Sequence, residues 1–183
     1  ATVAQIMEIE TFIPIIYAPR SRAIVRLWIP DGTELEVNGD DVNVQIIGPL
    51  AGTIAVNGVI TLTEGDATLT DVSGNFSIST GQGGITLNHV DGKFDAGTEL
   101  GSIFFKGTPL SDEISHLETG NGSIFADLNG VSDPAVSASA ARGVILLHDG
   151  KRPLSGTDIS IKTENSVVSL ELVTANGIID IRR

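Results

Sequence analysis

Three histidines, His89, His116 and His148, are the first place to look for chemistry. An imidazole ligates metals and carries protons near neutral pH. They lie 27 and 32 residues apart, with no HxH or HExxH spacing, so no shared metal ion is expected. Two adjacent acid pairs, Asp40-Asp41 and Asp112-Glu113, invite a glycosidase reading. That chemistry needs two carboxylates converging on one bond, whereas neighbours on a strand point to opposite faces. A lyase acting on acidic polysaccharides would want bases, and the central body holds only Lys93 and Lys106. There is no cysteine, which removes disulfides, thiolate metal sites and cysteine nucleophiles together. The expectation is therefore no catalytic set, no metal site and no cofactor. A polysaccharide-active enzyme is kept only as the least favoured alternative.

Calcium and ice are weighed from their own spacings. Calcium-binding nonapeptide repeats place an Asp at the sixth position of each nine-residue unit. Here, counting from the nine-spaced glycines, those positions hold Thr70, Ser79, Asn88, Gly97 and Lys106, so the spacing matches and the ligands do not. Ice binding needs a long Thr-x-Thr ladder. Only Thr61/Thr63 and Thr68/Thr70 fit, which is ordinary β-propensity.

The charge distribution narrows the partners. The net charge is −12 over 183 residues, and mean hydropathy is +0.21. From Leu27 to Ala141 there are 16 acids against two bases, a net of −14. Nucleic-acid binding demands clustered Lys and Arg, and anionic lipid repels such a body. Neither partner is expected. The longest apolar run, Ile13 to Pro19, is far short of a transmembrane helix. No signal peptide is read at Ala1.

The elements that must position any site follow from a repeat. Gly65, Gly74, Gly83, Gly92 and Gly101 are nine residues apart. The segments GDATL, GNFSI, GGITL, GKFDA and GSIFF follow them, each alternating apolar and polar residues. Alternation of period two is a half-buried strand, and each glycine marks a corner. Two strands per turn make coils of 18 residues. Ala67/Leu69, Ile85/Leu87, Ile103/Phe105, Ile124/Ala126 and Ile145/Leu147 form one inward stack, with steps of 18, 18, 21 and 21. Phe76/Ile78, Phe94/Ala96, residues near Ile114 and Val136, and Ile159/Ile161 form the other. Val168/Leu170 and Ile179/Ile181 should end the two stacks.

The expected fold is all-β: one single-domain β-helix, or β-solenoid, with short strands and coils of about 18–21 residues. It should span 23–181, with 1–22 as an N-terminal arm or cap and Ala23–Pro30 as a strand. An antiparallel sandwich also has many short strands, but its hairpin loops rarely keep one length over five copies.

Within this frame, GDATLTDVSGNFSISTGQGGITLNHVDGKFDAGTELGSI resembles the bacterial adhesin-type domains of unknown function, a short β-helix repeat family. Val72-Ser73-Gly74, Val90-Asp91-Gly92, Thr119 to Ile124 and Leu172 to Ile181 carry the resemblance, as does LWIPDGTELEVNGDDVNVQI at its entrance. It covers about residues 25 to 181. It implies a β-helical, non-catalytic binding or scaffold module in the cell envelope or outside a bacterium, with a protein or glycan as partner. It supplies no catalytic residues.

One feature stands apart from the repeat. If Ile103 and Phe105 face inward, Phe104 faces out, and by the same parity so do Phe125, Val144 and Leu146. On three successive coils these would form an apolar stripe, the candidate interaction site. The N-terminal arm, with Phe12, Ile13, Ile15, Ile16 and Tyr17, would cover it, a second copy would pair with it as a homo-oligomer, or a foreign ligand would occupy it. Trp28 and Tyr17 are the only Trp and Tyr, and Trp28, in an alternating strand, reads as a core or cap residue rather than a sugar platform. Aligning TDVSG with NHVDG puts Asp71 beside His89 as a surface ion pair.

Overall fold

The computed structural model describes residues 15–18, 31–49, 52–110, 113–132, 134–148, 154–161 and 169–183; for 15–18, 154–156 and 158–161 it defines only the backbone. The Ala23–Pro30 strand, Trp28, Val168 and most of the arm lie outside these residues.

The described chain is all-β, with thirteen strands in one sheet. They are β1 (Ile15–Ala18), β2 (Thr33–Asp41), β3 (Val44–Ile47), β4 (Ile54–Glu64), β5 (Ala67–Gln82), β6 (Ile85–Leu100), β7 (Ile103–Pro109), β8 (Ser115–Asn121), β9 (Ile124–Asp127), β10 (Val136–His148), β11 (Leu154–Gly156), β12 (Asp158–Ile161) and β13 (Leu170–Arg182). Nearly all pairings are parallel; only β11 and β12 run antiparallel, both against β10.

Register fixes how one stretch of chain lies on the last. β5 meets β6 at a constant offset of 18, from Ala67↔Ile85 to Gln82↔Leu100. β4 meets β5 at the same offset, and β7 meets β9 at 21. The offset for β2 on β4 is 23, so extra residues are absorbed at corners without moving the paired segments. In β6 against β7 the offset drops from 18 to 17 after Asn88, leaving His89 with no counterpart.

Each layer turns at fixed places. Gly65, Gly83, Gly101, Gly122, Gly177 and Gly143 lie one above another. A Cβ on any of the last five would overlap the carbonyl oxygen of the glycine before it in that order. Gly74 and Gly92 form a second corner of the same kind. The nine-residue spacing is thus two corner columns read alternately. Asp71 (φ 55°) and His89 (φ 52°) make a third bend in left-handed backbone, a conformation polar side chains tolerate better than β-branched ones. His89 Nδ1 lies 3.5 Å from Asp71 Oδ1, as the alignment of the two corners predicts. Both are exposed, so the pair adds little stability.

Inside, apolar side chains line up in columns. One runs Val37, Ile60, Ile78, Ala96, Leu117, Leu172 and Ala138, all buried. Large and small residues compensate along a column: Phe105 sits over Ala126, and Phe94 lies next to Ser115. Strand spacing is fixed near 4.8 Å by the backbone, so side-chain volume must be balanced between layers.

A buried polar column accompanies the glycines. Thr80, Thr98, Thr119 and Thr174 are nearly inaccessible. Their hydroxyls donate to the carbonyls of Gly65 (3.1 Å), Gly83 (2.9 Å), Gly101 (2.7 Å) and Gly122 (3.1 Å). Each threonine stands three residues before its own layer's corner glycine and ties it to the glycine of the layer before. Thr98→Val keeps the shape and removes the donor, so it should cost about 1–2 kcal/mol in denaturant titration, through the orphaned Gly83 carbonyl.

The order of the last layers differs from the sequence expectation. The sheet runs β7, β9, β13, β10, β11. Ile124 and Ala126 pair with Ile179 and Ile181, which in turn pair with Ile145 and Leu147. The final step of 21 therefore does not join neighbours, and β13 lies inside the stack rather than at its end. The reason is chemical: β13 carries Thr174 and Asn176 where β10 has Ala140 and Arg142. Only the former continue the threonine column and bond Asn121, through Asn176 Nδ2 donating to Asn121 Oδ1 at 2.9 Å.

Candidate functional site

The outward stripe is assembled by three columns on β7, β9, β13 and β10. Thr68, Thr86, Phe104, Phe125, Asp180 and Leu146 follow one another in register. Phe104 and Phe125 are neighbours, 39% and 41% exposed. Val144 and Leu146 are half-buried and do not adjoin them. The inserted β13 places Asp180 between Phe125 and Leu146, and Ile178, itself 41% exposed, between Ser123 and Val144. The expected stripe on three successive coils is corrected to two phenylalanines and an aliphatic group of Ile178, Val144 and Leu146, with a carboxylate between.

That carboxylate is held from two sides. Asp180 Oδ2 accepts from Arg182 Nη2 at 3.4 Å, and Oδ1 lies 3.5 Å from His148 Nε2. Its side chain is only 13% exposed. Beside it runs the third column: Lys106, Asp127, Arg182 and His148 in register. Lys106 Nζ is 3.8 Å from Asp127 Oδ2. Burial alone would raise the Asp127 pKa. The backbone and side-chain N–H groups of Asn129 outweigh it, at 3.1 and 2.6 Å, with help from Lys106 and Arg182, and hold the group below its ordinary 3.8. A carboxylate with a depressed folded pKa stabilises the fold above its unfolded pKa, and that contribution is lost as pH falls through the folded value. Asp127→Asn should therefore flatten the fall in stability below pH 3.8, measured by urea titrations across the acid range.

The arm does not cover this face with its described part. β1 pairs in parallel with β2, Ile15↔Glu36 to Ala18↔Gly39. β4, β5 and β6 separate β2 from β7. Hydrogen-bonding demand explains the placement: β2 would otherwise present a free edge.

A second outward feature lies at that first end. A groove of about 480 Å³ is lined by Glu34, Glu36, Asn57, Asn75, Lys93 and Asp95 over a floor that includes Gly58, Leu35 and Phe76. Gly58 lies in register between Leu35 and Phe76, and the Phe76 ring fills the space a Cβ would take there, 3.0 Å away. Lys93 is drawn to Glu113 at 3.1 Å. Sequence reading misses this groove, whose polar lining comes from four different strands.

The histidines stay apart, each beside a carboxylate. His116 lies 3.3 Å from Glu171 and 3.4 Å from Glu118. Among the described residues, no three His, Asp or Glu side chains are grouped so as to hold a metal ion. Compared with known protein families, curated proteins and solved structures, the chain finds no match in any of the three.

Proposed function

We propose that the chain is a single-domain β-solenoid and a non-catalytic binding or scaffold module, working in the bacterial envelope or outside the cell. The observation that carries this reading is the register-locked display of side chains. Parallel layers at constant offset place outward residues in straight columns one strand spacing apart. Such columns offer a regular surface on which an extended glycan or peptide could lie. The resemblance to adhesin-type repeats supports the same reading. Net acidity disfavours nucleic acid and anionic lipid as partners.

The test is a screen of the labelled chain against bacterial cell-wall fractions and a polysaccharide array, with and without calcium. Saturable binding to one class supports the module; no binding to any of them overturns it. A second reading, self-association through Phe104 and Phe125, is favoured by their adjacent exposed rings. In that case Phe104→Asp halves the mass seen by light scattering and leaves the melting curve in place.

A further inference from the structure

β13 occupies a slot built entirely by distant chain. On one side it pairs with β8 and β9, at an offset of 55, from Leu170↔Ser115 to Arg182↔Asp127. On the other it pairs with β10 at an offset of 34, from Val136↔Leu170 to His148↔Arg182. It makes no described pairing with β11 or β12, which precede it in sequence and attach to β10.

What the slot reads lies within the strand itself. Leu170, Leu172, Ile179 and Ile181 are fully buried in it. Thr174 donates to the Gly122 carbonyl and Asn176 to the Asn121 side chain. Gly177 fits because a Cβ there would overlap the Gly122 carbonyl, and Gly143 fits against Gly177 for the same reason. β10 offers β9 the same glycine and apolar pattern, but neither the hydroxyl nor the amide. The slot is therefore specific for a Thr-x-Asn-Gly strand, and its specificity does not depend on the covalent link to that strand.

The geometry points to reciprocal exchange of β13 between two copies of this chain, the last strand of each filling the slot between β9 and β10 of the other. The exchanged dimer keeps the pairings that β13 makes with β8, β9 and β10 and is isologous, as such swaps are. For β13 itself, monomer and exchanged dimer differ in the entropy of linkage. The strand's own effective concentration is about millimolar by the usual behaviour of short linkers, so exchange is set when folding takes place at comparable protein concentration, and dilution does not reverse it until β13 is released.

The absence of native cysteine makes this measurable. Asn121→Cys and Asn176→Cys, on separate full-length chains, are refolded together and mildly oxidised. At about 0.5 mM the mixture should give covalent heterodimer at least tenfold above a Ser77→Cys/Asn176→Cys mixture, and at micromolar concentration it should give none, since the local strand then wins. The double variant N121C/N176C should close within one chain after dilute refolding. A mixture that stays at the control level at high concentration overturns the exchange. Failure to close both in this double variant and in E118C/V173C, which keeps the two asparagines, overturns the slot itself. The register pair Glu118→Cys with Val173→Cys repeats the test one turn of pattern earlier, should the asparagine substitutions disturb folding.

Discussion

Phe94→Ala should cost about 3–5 kcal/mol in denaturant titration, toward the top of the range for removing a buried ring. Phe94 is fully buried and links three layers. Its ring stacks on Phe76 at 6.1 Å, 2° from parallel, and meets Phe105 edge-on at 6.2 Å. The cost depends on how far neighbours relax into the void. Here they are held at strand spacing by backbone hydrogen bonds on both sides, so the cavity stays open. Phe125→Ala, with the same atoms removed from a 41% exposed site, should change stability by less than about 1 kcal/mol. Equal losses at the two positions would mean that Phe94 is not the packed centre described.

Gly83→Ala is expected to be nearly as severe, lowering stability by roughly 3–5 kcal/mol through two named causes. Its φ of 147° disfavours an L side chain. An added Cβ would also overlap the Gly65 carbonyl oxygen and stand 3.2 Å from Asp66 Oδ1. Relief would require parting two hydrogen-bonded layers. For a chain of this size such a loss lowers Tm by about 6–20 °C. Gly52 separates the causes: its φ is 88°, but a Cβ there meets nothing within 4 Å. Gly52→Ala should show conformational strain alone, about 1–2 kcal/mol. Identical shifts in Tm for the two variants would remove the carbonyl overlap from the account.

The spacing of Gly65 to Gly101 was enough to read strand alternation, the 18-residue offset and the inward partners Ile85/Ile103 and Phe76/Phe94, because steric exclusion at each corner leaves glycine as its mark. The buried threonines were hidden by the same alternation: a polar residue at an inward place reads as an irregularity until its carbonyl partner is seen. The Thr-x-x-Gly spacing of Thr80, Thr98, Thr119 and Thr174 was the available sign. Layer order beyond Ile124 was not legible from hydropathy, since Ile145/Leu147 and Ile179/Ile181 present one pattern to β9. Two polar atoms, the Thr174 hydroxyl and the Asn176 amide, distinguish them. That misplaced strand also broke the predicted stripe, by setting Asp180 between Phe125 and Leu146. The groove lined by Glu34, Asn57, Asn75 and Lys93 escaped because its walls are outward polar side chains from four strands, which hydropathy does not place.

The place of β13 also sets a timetable for synthesis. Layers through β9 can dock in the order in which they leave the ribosome, each on the one before. β10 cannot: its seat is β13, which emerges 34 residues later. At ordinary elongation rates that is a wait of about 2–7 s. Throughout it, β11 and β12 can pair with one edge of β10 as they emerge, but the other edge, with Val136, Ile145 and Leu147, lacks its partner in β13. A chain halted after His148 thus holds a finished stack with one strand still looking for its place, and the direct seat on β9, offering the same glycine and apolar pattern, is the wrong one.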